Sequence, residues 1–126
     1  MVGDVNNDGF PDIVTPGLYI LIGNGDGTFK PPVLHTLYGV TNLQLRDINN
    51  DGKLDVVAVA GLNGFLDVLL GNGNGTFQTA KNFGVFLGRV TIGVADLNGD
   101  GLLDVAYLGA TNNEKASTLE VFLNGH

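Results

Sequence analysis

The chain has 126 residues, 44% of them hydrophobic and 15% charged, which suits one domain with a buried core and excludes wholesale disorder. Its formal net charge is −7, and nine of the thirteen acidic residues fall in three short segments, so the acidity is local. The six Lys and Arg residues are scattered and no apolar run reaches about 18 residues, which argues against a nucleic-acid surface, an anionic-membrane surface and a transmembrane helix.

The first acidic segment runs Asp4-Val5-Asn6-Asn7-Asp8-Gly9-Phe10-Pro11-Asp12, a DxNxDGxxD pattern. A short β-branched stretch, Ile13-Val14, follows it, and after Pro16-Gly17 a second strand is predicted over residues 18–22. The turn Gly23-Asn24-Gly25-Asp26-Gly27-Thr28-Phe29 then reverses the chain. Its Asn-Gly pair suggests a type I′ hairpin, in which both central residues need φ > 0. A weaker strand is expected over residues 32–37 and another over residues 40–46, where Leu43 and Leu45 alternate with Gln44 and Arg46.

The same succession begins again at once. Asp47-Ile48-Asn49-Asn50-Asp51-Gly52-Lys53-Leu54-Asp55 leads into an apolar strand at 56–60, and a loop at 61–64 precedes a strand at 66–70. The turn Gly71-Asn72-Gly73-Asn74-Gly75-Thr76-Phe77 matches the first turn, with a strand at 78–83 and one at 89–95 after it. The third nonapeptide, Asp96-Leu97-Asn98-Gly99-Asp100-Gly101-Leu102-Leu103-Asp104, is followed by strands at 105–108 and 119–123. No segment keeps a 3.6-residue apolar period over about ten residues, so no helix is expected.

The nonapeptides start 43 and 49 residues apart, a spacing that suggests propeller blades or a solenoid. Four short antiparallel strands per repeat describe a propeller blade, with repeat units at about 1–37, 38–84 and 85–126. The fold class expected is therefore all-β, an incomplete propeller segment of about three blades. One whole blade should be flanked by two incomplete ones. Head-to-tail association of identical chains would leave strands missing at each junction, so a piece of a longer polypeptide is preferred, with the remaining blades as its partners. Length varies most between the first two strands, which makes residues 110–116 a candidate contact loop.

Each nonapeptide places oxygen-bearing side chains at positions 1, 3, 5 and 9 and a glycine at position 6, where a compact loop needs φ > 0. Calcium takes about 6 to 8 oxygens at roughly 2.3 to 2.6 Å, so these side chains and the position-7 carbonyl suit one ion per loop. At position 12, where an EF-hand needs its bidentate acid, stand Thr15, Ala58 and Tyr107. Without Cys or paired His, soft metals have no ligands. Two unit charges about 5 Å apart repel by about 3 kcal/mol at an effective dielectric near 20, so a metal-free loop of clustered carboxylates is costly.

At these residues the sequence resembles the FG-GAP/VCBS-like repeat family, found in integrin α propellers and in bacterial surface and lectin-like proteins. The resemblance rests on the three nonapeptides with the apolar residues after each, on the Gly-Asn-Gly-x-Gly-Thr-Phe turns and on Phe83-Gly84, and it covers nearly the whole chain. It implies that the acidic loop joins the innermost strand of a blade to the second and holds calcium. The implied side-chain ligands are Asp4, Asn6, Asp8 and Asp12; Asp47, Asn49, Asp51 and Asp55; and Asp96, Asn98, Asp100 and Asp104. Carbonyls of Phe10, Lys53 and Leu102 complete the shells, for up to three Ca²⁺. It also implies a secreted or surface-exposed adhesion or interaction scaffold with a protein or glycan ligand. The Met1-Val2-Gly3-Asp4 start has no signal-peptide pattern, so an export signal would have to come from elsewhere.

Other chemistry is poorly supplied. The evenly spaced turn glycines lack the Gly-Lys-Ser/Thr of a phosphate loop. His35 and His126 have no evident partner, and one serine and no cysteine leave no nucleophile with its base, so no enzyme is expected. The Asn74-Gly75-Thr76 sequon coincides with a repeated turn, and Phe29 and Phe77 read as core anchors between blades. Tyr19, Tyr38 and Tyr107 could stack on a sugar, although Trp is absent. The alternatives kept are a lectin-type propeller and an accessory segment of a polysaccharide-degrading enzyme.

Overall fold

A computed structural model describes residues 1–37, 39–60, 65–85, 90–110 and 117–122. They form eleven strands in three antiparallel sheets, and no helix occurs among them. The first sheet runs β1 (Val2–Gly3), β2 (Asp12–Val14), β3 (Tyr19–Leu21), β4 (Val33–Leu34) in spatial order. The second runs β5 (Asn42–Arg46), β6 (Asp55–Ala60), β7 (Phe65–Leu69), β8 (Lys81–Val85). In the third, β10 (Asp104–Ala110) lies between β9 (Val90–Ala95) and β11 (Ser117–Phe122). Each sheet is a meander of consecutive strands. The architecture is all-β and matches incomplete propeller-like repeats.

The register explains which residues are hidden. Leu43 pairs with Ala58 and Leu45 with Val56, so the apolar positions of β5 and β6 share a face, while Val57 and Val59 pair with Val68 and Leu66 on the opposite face. Both faces of β6 are covered, and all six of its residues are buried, as a strand between two neighbouring sheets must be. A register shift between Phe65 and Asp67 against β8 marks a bulge, and Gly84 nearby has φ +126°.

Two cores hold the sheets together. Val5, Val14, Leu18 and Ile20 of the first repeat meet Leu43, Leu45, Val56, Ala58, Leu69 and Phe77 of the second. Ile48, Val57, Val59, Leu66 and Val68 of the second meet Ile92, Val105 and Tyr107 of the third. The innermost strands β5 and β9 lie against one another, as blade stacking requires.

Several expectations change. The first sheet has all four strands, because Val2–Gly3 is enough to pair with Ile13 and Asp12. In each repeat the second strand begins at the ninth loop residue, not after it. The hairpins are not type I′. Asn24 N–H donates to the Thr28 carbonyl at 3.0 Å, and φ is positive at Gly25 and Gly27 rather than at Asn24. The same loop recurs with Asn72, Thr76, Gly73 and Gly75, so a five-residue loop with two left-handed glycines replaces the two-residue turn. Tyr107 is buried in the second core and is no sugar platform. Tyr38, most of the candidate contact loop (residues 111–116), the loop at 61–64 and residues 123–126 lie outside the described residues.

Candidate metal centre

The first loop is knitted by its own side chains. Asp8 N–H points between Asp4 Oδ1 (3.2 Å) and Asn6 Oδ1 (3.1 Å), Gly9 N–H donates to Asp4 Oδ2 (2.8 Å) and Phe10 N–H to Asp8 Oδ1 (2.9 Å). The second loop repeats this: Asp51 N–H lies between Asp47 Oδ1 (3.0 Å) and Asn49 Oδ1 (3.1 Å), with Gly52 and Lys53 amides on Asp47 Oδ2 and Asp51 Oδ1. Two oxygens converging on one amide place the side chains of positions 1 and 3 side by side.

The third loop differs at one point. Asp96 Oδ1 accepts from Gly99 N–H at 2.6 Å, one residue earlier, while the Gly101 and Leu102 amides keep the common pattern and Asp100 N–H donates to Asn98 Oδ1 at 2.9 Å. Position 4 is glycine here and asparagine in the other two loops.

That position is a requirement the sequence expectation overlooked. Asn7 (φ 59°), Asn50 (φ 58°) and Gly99 (φ 80°) are all left-handed, as are Gly9, Gly52 and Gly101 at position 6. Asn and Gly are the residue types that tolerate this region, so the signal was present in the spelling. Asn50 also reaches the next loop, donating from Nδ2 to the Gly101 carbonyl at 3.3 Å.

Position 9 differs from the exposed cluster in burial. Asp12, Asp55 and Asp104 are fully buried at the root of the loop. Asp12 accepts Val5 N–H (2.9 Å) and Gly23 N–H (2.8 Å), and Asp55 accepts Ile48 N–H (2.9 Å) and Gly71 N–H (2.7 Å). Asp104 accepts Leu97 N–H at 2.9 Å. Each carboxylate therefore ties position 2 of its loop into place, and in the first two repeats also ties the loop to the hairpin of the same sheet. Gly23 and Gly71 allow that approach, since a Cβ there would run into the carbonyl oxygens of Pro11 and Leu54.

The electrostatics separate the two groups. The Phe10 amide, with the Asn6 side-chain amide and Lys30, holds the exposed Asp8 carboxyl below its ordinary range. For Asp51, desolvation pushes upward but is outweighed by the Lys53 amide, Asn49 and the Lys53 ammonium, so it too is lowered. Lys53 Nζ lies 3.5 Å from Asp51 Oδ2, a solvent-exposed pair of small weight. Burial raises Asp55 despite its two amides, and the charges of Asp51 and Asp47 raise it further. The carboxylates of the middle loop thus repel one another.

Among the described residues no three carboxylate, imidazole or thiol groups gather closely enough to hold an ion by themselves. An ion in these loops would draw on amide and backbone oxygens as well. The donor chemistry fits a hard cation, since every side-chain donor offered is oxygen, and an oxygen accepting one N–H keeps a second lone pair. The contact an ion would have to displace is the one from the position-3 amide to the position-5 carboxylate, 2.7, 3.2 and 2.9 Å in the three loops.

The sequence offers His35 no evident partner, in a solvated or edge role. Instead its ring stands edge-on to Phe77 across the first sheet junction, centroids 6.2 Å apart, with Nε2 at 3.3 Å from the Phe77 carbonyl.

Comparison with known proteins agrees with this geometry. The pattern of the FG-GAP-like repeat family matches residues 4–58 and again residues 47–107. None of the curated proteins compared with the chain matches it. Three nonapeptide loops rooted in successive antiparallel sheets, under two overlapping family matches that span most of the sequence, place the chain in the FG-GAP-like repeat family.

Proposed function

We propose that this β-propeller-type repeat module binds up to three Ca²⁺ ions and serves as a rigid interaction or adhesion scaffold outside the cell or on its surface. The observation that carries the proposal is the threefold recurrence of one side-chain lattice, in which the position-3 oxygen accepts from the position-5 amide and a position-1 oxygen from the position-6 amide, joined in the first two loops by the other position-1 oxygen at the position-5 amide. Asp47, Asn49, Asp51, the Lys53 carbonyl and Asp55 would hold the ion of the middle loop, and the corresponding residues the other two. Calcium supplies positive charge where Asp51 and Asp47 press on Asp55. The protein's own contribution is preorganisation: left-handed positions 4 and 6 fold the loop back on itself, and the buried position-9 carboxylate anchors it.

A site with a dissociation constant of about 0.1 mM in roughly 2 mM calcium would stabilise the fold by about 1.8 kcal/mol. Three such sites should raise the thermal midpoint by about 15 °C or more. Differential scanning calorimetry in 2 mM calcium and in EDTA tests this, with isothermal titration giving the stoichiometry. Equal midpoints in the two buffers would end the calcium proposal.

A further inference from the structure

The acidic loops of neighbouring repeats meet at two junctions, and the junctions are not alike. Both have an apolar base. Val5 and Leu54 belong to the first core, and Ile48 and Leu103 to the second, so position 2 of one loop and position 8 of the next share a core. The second junction adds a polar link. Asn50, at position 4 of the middle loop, donates from Nδ2 to the Gly101 carbonyl of the third loop at 3.3 Å. In the first loop the corresponding atom, Asn7 Nδ2, faces the next hairpin instead: a Cβ at Gly73 would lie 3.0 Å from it and 3.1 Å from Lys53 Cδ.

Each end of the Asn50 link is one peptide unit from candidate ligands. The Asn50–Asp51 peptide carries the amide on which Asp47 Oδ1 (3.0 Å) and Asn49 Oδ1 (3.1 Å) converge. The Gly101–Leu102 peptide carries the carbonyl bound by Asn50 and, at its other end, the Leu102 N–H that holds Asp100 Oδ1 at 2.8 Å. A carbonyl that accepts a hydrogen bond polarises its own peptide, so the N–H becomes a stronger donor and the two bonds reinforce each other. The left-handed backbone of Asn50, φ 58°, aims its side chain at this peptide.

We propose that Asn50 couples the middle and third loops, so that an ion held in one strengthens the grip of the other. This rests on the calcium reading above. An ion among Asp47, Asn49 and Asp51 stiffens the turn that presents Asn50. Asn50 then holds the Gly101–Leu102 peptide, and with it Asp100, in place for the third ion. Order imposed by one ion does not have to be imposed again by the next, which is positive cooperativity without a large change of shape. The effect is reciprocal, because a coupling free energy acts equally on both sites. The first loop, whose Asn7 turns to the hairpin, stands outside the pair.

Two measurements test this. The first is isothermal titration with calcium on Asp8→Ala, which disables the first loop and leaves two sites. The product of its two affinities should exceed by about fivefold the product of those measured singly in Asp8→Ala/Asp100→Ala and Asp8→Ala/Asp51→Ala. Asn50→Gly, added to all three, should remove that excess. Glycine suits a left-handed position and stands at position 4 of the third loop, so this variant deletes the donor and keeps the backbone. The second measurement is amide exchange in EDTA on Asn50→Gly alone. Exchange at Leu102 should quicken about threefold, while the Phe10 amide, its counterpart in the first loop, should not change. Calcium binding with no excess, an excess that survives Asn50→Gly, or unaltered exchange at Leu102 would overturn the coupling and leave the calcium sites standing. A chain that binds no calcium would overturn both.

Discussion

Replacing Asp55 by alanine removes the acceptor of two buried amides, Ile48 N–H at 2.9 Å and Gly71 N–H at 2.7 Å. A buried donor left without a partner costs about 1 to 3 kcal/mol, so the gross loss is roughly 2 to 6 kcal/mol. Part of that is returned, because burial and the neighbouring charges of Asp51 and Asp47 already disfavour the ionised form of Asp55. A net loss of about 3 kcal/mol remains, a large share of a typical stability of about 5 to 15 kcal/mol, and lowers the thermal midpoint by roughly 10 °C. Asp55→Asn keeps one acceptor and turns an NH₂ toward the second amide, so it should fall between parent and alanine variant. The assay is urea unfolding in EDTA, where metal binding makes no contribution. If Asp55→Ala unfolds within about 0.5 kcal/mol of the parent, the buried carboxylate is no anchor and the reasoning is wrong. The exposed Asp51→Ala should behave oppositely, leaving the EDTA midpoint nearly in place and shrinking the shift produced by calcium.

Two further outcomes are expected. Gly71→Ala, whose Cβ would collide with the Leu54 carbonyl oxygen, should cost more than about 3 kcal/mol. Gly52→Ala meets open space at φ +82° and should cost only about 1 to 2 kcal/mol, and urea midpoints that rank the two in reverse order would refute this. Asp67 is buried in β7, and desolvation raises its carboxyl above the ordinary 3.8, opposed by the Asn82 amide at 3.1 Å. A raised folded-state value means that its favourable contribution is present below about pH 3.8 and lost as pH rises through that folded value. Asp67→Asn should therefore be more stable than the parent at pH 7 and lose less between acid and neutral pH, and parallel urea midpoints from pH 4 to 7 would contradict the sign.

Much of the fold was legible because its signals are local and occur in multiple copies. The period of the nonapeptides, the glycine at position 6 and the alternation of Leu43 and Leu45 each report on a few neighbouring residues, and the structure uses them as expected. What the sequence hid depends on distant partners. Nothing near Asp12 or Asp55 in the chain shows that amides 11 and 16 residues further on will meet their carboxylates. Phe29 and Phe77 share one motif and differ in burial only because a sheet covers one of them. The burial of Asp67 and the packing of His35 on Phe77 likewise arise where sheets meet. The left-handed Asn7 and Asn50 were a different kind of miss, a local backbone signal passed over beside the ligand positions.

The residue that closes each acidic loop reaches, in the first two repeats, to the glycine that opens the hairpin of its own sheet. A gene copying only the nine loop codons would implant a buried charge that keeps the amide of its own loop and lacks the one from the hairpin. A loop transplanted together with its whole sheet keeps both partners.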